Sequence, residues 1–384
     1  MQKTLIALAV AGLMSSAAFA ETSVTIGGSF DAAYKFTHGS NADTADGTSK
    51  GSVTKATLGD DGAKTSRITV QAKEDLAPGW SAMVDLDLRF GTIEEGKNAA
   101  TTGGLNSNDK KALYLISPFG TLRWGVMNIA SEQYWDYEEK PYMVNLKDLD
   151  IVKWGISEKR DTYLTNRATE FDTPLLSLGQ VKTRLKGTYA FGDSRKAGSN
   201  DVDSKSSGDV YSVANTGTVG KWANWQLSTS HRVANVETGS TGSNGGMHFS
   251  ENYVNFHPID GLKIGFQYNV FKGAGDTNSD NGLFKEKNTN IVVAYNFGQR
   301  VQIGVSRSHL NDLSTNRNSG KAWQIGGTYF LSKSTYAYLA FEKDDYASNV
   351  TGVKGGFDGT AANFVGSFDK VDQKYTTFGL VKEF

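Results

Sequence analysis

Four carboxylates crowd into eight residues of this chain: Glu132, Asp136, Glu138 and Glu139. Six basic residues, Arg67, Arg89, Arg123, Lys182, Arg184 and Lys186, sit instead inside segments of alternating polarity. Acids and bases held on opposite sides of a narrow wet gap create a transverse field. Such a field orders water, orients dipolar solutes and makes passage costly for apolar ones. Asp85 and Asp87 share their face with Arg89, which works against a simple anion preference.

Other chemistries find less support. The stretch DTNSDNG spaces Asp276, Asn278 and Asp280 like a calcium loop, but Asn281 replaces the turn glycine and Lys287 the closing glutamate. The five histidines (His38, His231, His248, His257, His309) show no metal-ligand spacing. No metal or other cofactor is expected. No nucleophile motif is present, so the expectation is a protein that is not an enzyme, with a barrel hydrolase as the catalytic alternative. GSTGSNGG lies between strands and opens no helix, so it is not a phosphate cradle.

The elements that must position these residues are strands. In WSAMVDLDLRF, Trp80, Ala82, Val84, Leu86, Leu88 and Phe90 alternate with Ser81, Asp85, Asp87 and Arg89, and Met83 is the exception. Alternate side chains of a strand point to opposite faces, so one face is greasy and the other charged. Thr22 to about Phe36, VKTRLKGTYAF, GLKIGFQYNV, TNIVVAYNF and AWQIGGTYFL repeat the pattern. Sixteen such segments are predicted, the weakest near residues 162–172, 209–216 and 248–256. Short connections (EDLAPG, SPFGT, TPLLSLG, NTGTVGK, HPIDG, FGQR, LSKST) alternate with long ones near 37–63, 91–108, 128–160, 192–208, 234–247, 272–287, 310–320 and 344–370. Pro78, Pro118, Pro174 and Pro258 fall in the short ones. Long loops at one end and tight turns at the other organise an outer-membrane barrel. The aromatics Trp80, Phe90, Trp124, Phe191, Trp225, Tyr268, Phe297, Trp323 and Phe384 are expected near strand ends as interfacial girdles.

Residues 1–20 read as a secretory signal peptide, with Lys3, a short apolar run and a small-residue site ending at Ala20. The chain has no cysteine among its 384 residues, so no disulfide framework holds it. Formal net charge is −1, or −2 once Lys3 leaves with the signal, which gives no reason to expect a nucleic-acid partner. Residues 21–384 are read as one domain.

Together SVTIGGSFDAAYKF, KEDLAPGWSAMVDLD, ISPFGTLRWGVM, GGTYFLSKSTYAYLAF and FGLVKEF resemble, in order and spacing, the Gram-negative general (trimeric) porins of proteobacterial type. Lys382 departs from the aromatic common there, and GVMNIAS replaces the usual Gly-Arg-Gln. The resemblance implies an all-β, 16-stranded antiparallel transmembrane β-barrel with long external loops and short periplasmic turns. It implies a homotrimer in the outer membrane, in contact with lipid and lipopolysaccharide. The third loop, about residues 128–160, would fold into the lumen and carry Glu132, Asp136, Glu138 and Glu139. The basic wall opposite would include Arg67, Arg123 and Arg184. Phe378, Leu380 and Phe384 would form the carboxy-terminal signal read by the barrel-assembly machinery. General diffusion of small hydrophilic solutes and ions would follow. A solute-specific channel for sugar or anion, and a soluble secreted β-protein, stay open as alternatives.

Overall fold

The computed structural model describes residues 22–44, 52–59, 66–89, 110–128, 164–190, 209–232, 247–274, 283–312, 319–351 and 367–384. Within them the elements are strands: β1 (Thr22–Thr44), β2 (Ser52–Gly59), β3 (Arg67–Ala77), β4 (Trp80–Arg89), β5 (Lys111–Ser117), β6 (Gly120–Asn128), β7 (Leu164–Asp172), β8 (Leu176–Leu178) and β9 (Val181–Ala190). There follow β10 (Val210–Val219), β11 (Ala223–Arg232), β12 (Met247–Phe256), β13 (Leu262–Ala274), β14 (Leu283–Phe297), β15 (Val301–Asp312), β16 (Ser319–Ser332), β17 (Thr335–Thr351) and β18 (Ser367–Glu383).

Two pairs of segments share a position. β2 and β3 both pair with β1, through Tyr34↔Leu58 and Ile26↔Val70, and together make one interrupted strand. β7 and β8 both pair with β9, through Glu170↔Thr188 and Ser177↔Lys182, with the break at residues 173–175. Pro174 lies in that break and has no N–H to give a ladder. Eighteen segments less two interruptions leave sixteen strand positions. Every pairing is antiparallel, and β18 pairs with β1 to close the sheet. In lipid only such a closed ladder leaves no edge of unpaired N–H and C=O groups.

The faces of this sheet reverse those of a soluble fold. On β1, Val24 and Ile26 are 62% and 64% exposed, while Asp31 is fully buried. Large apolar side chains remain exposed around the barrel, among them Leu113, Leu185, Phe266, Ile303, Val305 and Leu339. Buried positions hold Asp85, Glu170, Lys186, Gln226, Gln267 and Asn290. An exposed apolar band of that extent is foreign to a soluble monomer, so the soluble secreted β-protein drops out. The inner face is not uniformly polar. One apolar patch joins Ala112, Tyr114, Met127, Ala168, Ala190 and Val210, with Met83 and Ile116 against it. Another joins Ala33, Val292, Tyr336, Tyr338, Ala340 and Val381. Met83, the exception in the alternation, thus packs on an inner apolar patch.

Turns at residues 78–79, 118–119, 179–180, 220–222, 298–300 and 333–334 and the connection 257–261 join strands at one rim, where β18 also ends beside the start of β1. The strands run further than their alternation predicts. β1 continues to Thr44, β13 to Ala274 and β17 to Thr351, into stretches expected to be loop. Beyond the apolar band both faces of a strand meet water, so its sequence loses the period of two while the ladder continues.

The girdle expectation holds in part. Phe297 and Phe384 are exposed beside the turns, joined there by Phe119, Trp222 and Phe256. Trp323 is exposed towards the other rim and Trp124 on the wall between. Trp80 and Tyr268 are half-buried, Tyr268 in mid-strand. Phe90 and Phe191 lie outside the described residues. Trp225, the third residue of β11, is near a strand end as expected and covers Gly217, where a Cβ would lie 2.2 Å from Trp225 Cζ2. Its indole N–H donates to Asn215 Oδ1 (2.8 Å), and Asn215 Nδ2 donates to Thr183 Oγ1 (2.8 Å). A polar side chain on the outer face is thereby satisfied under an aromatic lid. Gly217→Val is expected to cost about 1–3 kcal/mol through overpacking, read as a lower temperature for loss of the folded band in SDS gels.

Candidate functional site: a ladder of charge on the inner wall

The inner face from β3 to β9 carries a continuous row of ionised side chains, because alternation puts every second residue there. Arg67 on β3 donates through Nη1 to Asp87 Oδ2 on β4 at 2.7 Å. Two residues along, Asp85 accepts from Lys110 Nζ at 3.0 Å and from the Tyr114 hydroxyl at 3.2 Å. The guanidinium of Arg123 on β6 lies 5.1 Å from the Tyr114 ring centre, a cation–π distance.

Arg123 is the hub. Its Nη1 bonds Glu170 Oε1, and its Nη2 bonds Asp172 Oδ2 at 2.6 Å. The register explains the fork: Arg123 stands directly opposite Glu170 on β7, with Asp172 on the diagonal. Glu170 also accepts from Thr188 Oγ1 at 2.8 Å. Arg184 Nη1 and Lys186 Nζ each lie 3.9 Å from Asp172 Oδ2. The glutamate and aspartate are buried, and the guanidinium keeps 15% of its side-chain surface. Bidentate engagement of two carboxylates suits arginine's rigid fork and no other cation.

Of the six basic residues that the sequence reading put on the inner wall, the structure brings four into this network: Arg67, Arg123, Arg184 and Lys186. Lys182 shares the face of Arg184 but is exposed near the turns, with its Cα opposite Ser177 and Thr218. The backbone of Arg89 pairs with Arg67, and its side chain lies outside the described residues. So do Glu132, Asp136, Glu138 and Glu139. Sequence reasoning missed Glu170, Asp172 and Lys110. TEFD at 169–172 held a signal, two acids flanking a phenylalanine, in a segment whose alternation is otherwise weak.

The wall is therefore more balanced than a row of bases. In the ion-paired network of the described residues, five cations (Arg67, Lys110, Arg123, Arg184, Lys186) stand among four carboxylates (Asp85, Asp87, Glu170, Asp172), a net charge of +1, with Lys182 on the same face outside it. Fields between neighbours run along the wall and hold each side chain in place. No group of His, Cys, Asp and Glu suited to a metal ion occurs among the described residues.

An apolar exterior closed around an ionised interior defines a transmembrane β-barrel channel. Residues 7–349 match the profile of the Gram-negative porins, and the chain belongs to that family. It is an outer-membrane porin channel. No curated protein sequence matches significantly. Among solved structures, the anion-selective porin from Comamonas acidovorans is 17% identical with a TM-score of 0.70, covering 95% of this chain and 100% of that one. The loop L8 deletion mutant of OmpT, an outer membrane protein of Vibrio cholerae, is 10% identical with a TM-score of 0.60 over 94% and 99%. Salmonella typhi OmpF in complex with daunomycin is 10% identical with a TM-score of 0.58 over 94% and 97%. At such identities the likeness is one of fold alone.

Proposed function

We propose that this porin is a general diffusion channel that passes small hydrophilic solutes and ions passively, without a catalytic step. The observation that carries the reading is the charged ladder on the inner wall behind an apolar outer face. About sixteen strands make a barrel too wide for side chains to fill, so water occupies the lumen. Ionised groups that are paired yet not sealed favour hydrated solutes and admit either sign of ion. The reading extends to the parts the resemblance implies: export by the signal peptide 1–20, assembly through Phe378, Leu380 and Phe384, and a homotrimer among outer-membrane lipid and lipopolysaccharide. All three assembly residues lie on the exposed outer face.

The long connection of about residues 128–160 follows in sequence on β6, the strand that carries Arg123. We assign it the constriction, with Glu132, Asp136, Glu138 and Glu139 facing the ladder. A unit charge about 5 Å from a permeating ion in water is worth about 0.8 kcal/mol, or about fourfold in relative permeability.

Planar-bilayer recording under a salt gradient tests the function. The expected result is stepwise, ohmic conductance with weak ion selectivity. Absence of conductance steps, or hydrolysis of lipid or peptide by the purified protein, would reject the reading. Replacing Glu138 and Glu139 together by glutamine removes two such charges and is expected to shift the permeability ratio more than fourfold, up to about sixteenfold, towards anions. An unchanged conductance and reversal potential would remove the constriction from these residues.

A further inference from the structure

We propose that the short-turn ends of β15 to β18 hold one anionic glycerophospholipid, its phosphate against Arg300, Lys333 and Lys382 and an acyl chain in a slot on the lipid-facing wall. The slot is a groove of about 480 Å³ across the outer face of β15, β16 and β17, with Gly327 and Ala337 in its lining. Gly327 stands directly opposite Ile303 and Leu339, and two residues further from the rim Ile325 stands opposite Phe341. Those four large side chains are exposed and rise as ridges around positions that carry no side chain or only a methyl. A lipid chain laid in such a recess touches the wall on its flanks as well as beneath. It gains dispersion contacts that a flat band does not give.

The slot opens at the rim where the cations stand. Val301 lines the slot, begins β15 and directly follows Arg300. The Phe330 N–H donates to the Arg300 carbonyl at 2.8 Å, which puts Arg300 beside the end of β16. Lys333 is in the turn from β16 to β17. Lys382 on β18 donates through Nζ to Ser334 Oγ in that same turn at 2.8 Å. All three are exposed, and none has a carboxylate partner among the described residues. Lys382 is also a position at which this chain departs from the porin pattern. Glu383 is the one acidic side chain in residues 298–304, 327–339 and 378–384. It alternates with Lys382 and so falls on the inner face with buried Val381. The terminal Phe384 accepts from the Gly28 N–H across the seam at 3.0 Å.

Charge selects the occupant. Three cations within three strand spacings, about 14 Å, repel one another beside hydrocarbon, and each adds roughly fivefold to the attraction of an anionic lipid. Their long flexible stems let the charged heads gather on one phosphate. A second copy seated here by two-fold symmetry would bring the same cations alongside. Glycolipid of the outer leaflet lies at the opposite, long-loop rim. Tyr329, exposed between slot and rim and opposite Val301, sets an amphipathic ring at headgroup depth.

The test is native mass spectrometry of the detergent-solubilised protein, titrated with dioleoylphosphatidylglycerol or with dioleoylphosphatidylcholine, which carry the same chains. The native protein is expected to retain one phosphatidylglycerol per chain at concentrations about tenfold below those for phosphatidylcholine. The variant R300Q/K333Q/K382Q should lose that preference, and its changes are confined to exposed side chains at the rim. Ala337→Leu fills the slot and should weaken retention of both lipids about fivefold while leaving the preference intact. Equal retention of the two lipids by the native protein, or a preference that survives loss of the three cations, would overturn the site. Undiminished retention by Ala337→Leu would overturn it too, and so would a smaller oligomer in that variant, which would give the slot to a second copy.

Discussion

Replacing Arg123 by alanine is expected to lower barrel stability by about 3 kcal/mol and to shift ion preference about fourfold towards cations. Both effects have one origin. The arginine is shared by Glu170 and Asp172, whose carboxylates are almost wholly buried. Removing one member of a buried ion pair leaves the other charge unpaired, which costs about 3–5 kcal/mol. The low end applies here because the arginine is still partly exposed, and Arg184 and Lys186 stand close enough to Asp172 to take up some of its charge. The ladder then passes from a net +1 to neutral, with two carboxylates freed to face the lumen. Reversal potential under a salt gradient measures the selectivity, and the unfolding temperature in detergent measures stability. Arg123→Lys separates the two. It keeps the charge and should keep the selectivity, but a lysine cannot span both carboxylates, so part of the stability should still be lost. A lysine variant with the selectivity of alanine would contradict this assignment.

Gly28→Val is expected to block closure of the barrel. At this position a Cβ would lie 2.4 Å from the carbonyl oxygen of Arg67 and 2.6 Å from Phe384 Cζ. The first contact is backbone and cannot be relieved by a rotamer change. Gly28 and Phe384 also exchange both of their backbone hydrogen bonds, at 3.0 and 3.1 Å. They lie where β1, β3 and β18 meet at the seam. Overpacking of this kind costs about 3 kcal/mol or more, concentrated on the pairing that closes the sheet. The folded, SDS-resistant fraction after refolding should fall several-fold, while Gly28→Ala should fall less. A valine variant that refolds as fully as the native chain would show that the seam has slack.

Much of the wall was legible because a strand can hide nothing: where lipid lies on one side and water on the other, the sequence must alternate. That principle put Arg67, Arg123, Arg184 and Lys186 on the inner face before any coordinates. It failed where the physical contrast fades. β7 carries Thr169 and Phe171 outward, a thin apolar face, so Glu170 and Asp172 went unread as the partners of Arg123. On β10 and β12, Asn215 and Asn252 take outward positions that an apolar residue should hold, and each instead bonds neighbouring strands. Above the apolar band, β1 and β17 continue through residues polar on both faces. The direction of the acidic connection was never a matter of periodicity. It came from the family resemblance alone.

The absence of cysteine from the native chain makes one measurement especially direct. Single cysteines at Val305 and Ser306 are adjacent in β15, one exposed on the apolar side and the other on the inner face. In reconstituted channels, a charged, membrane-impermeant thiol reagent should modify the Ser306→Cys variant and reduce its current, leaving Val305→Cys untouched. A lipid-soluble thiol reagent should show the opposite preference. Equal reactivity at the two positions, or water-borne labelling at 305 alone, would contradict a barrel that is apolar towards lipid and wet within.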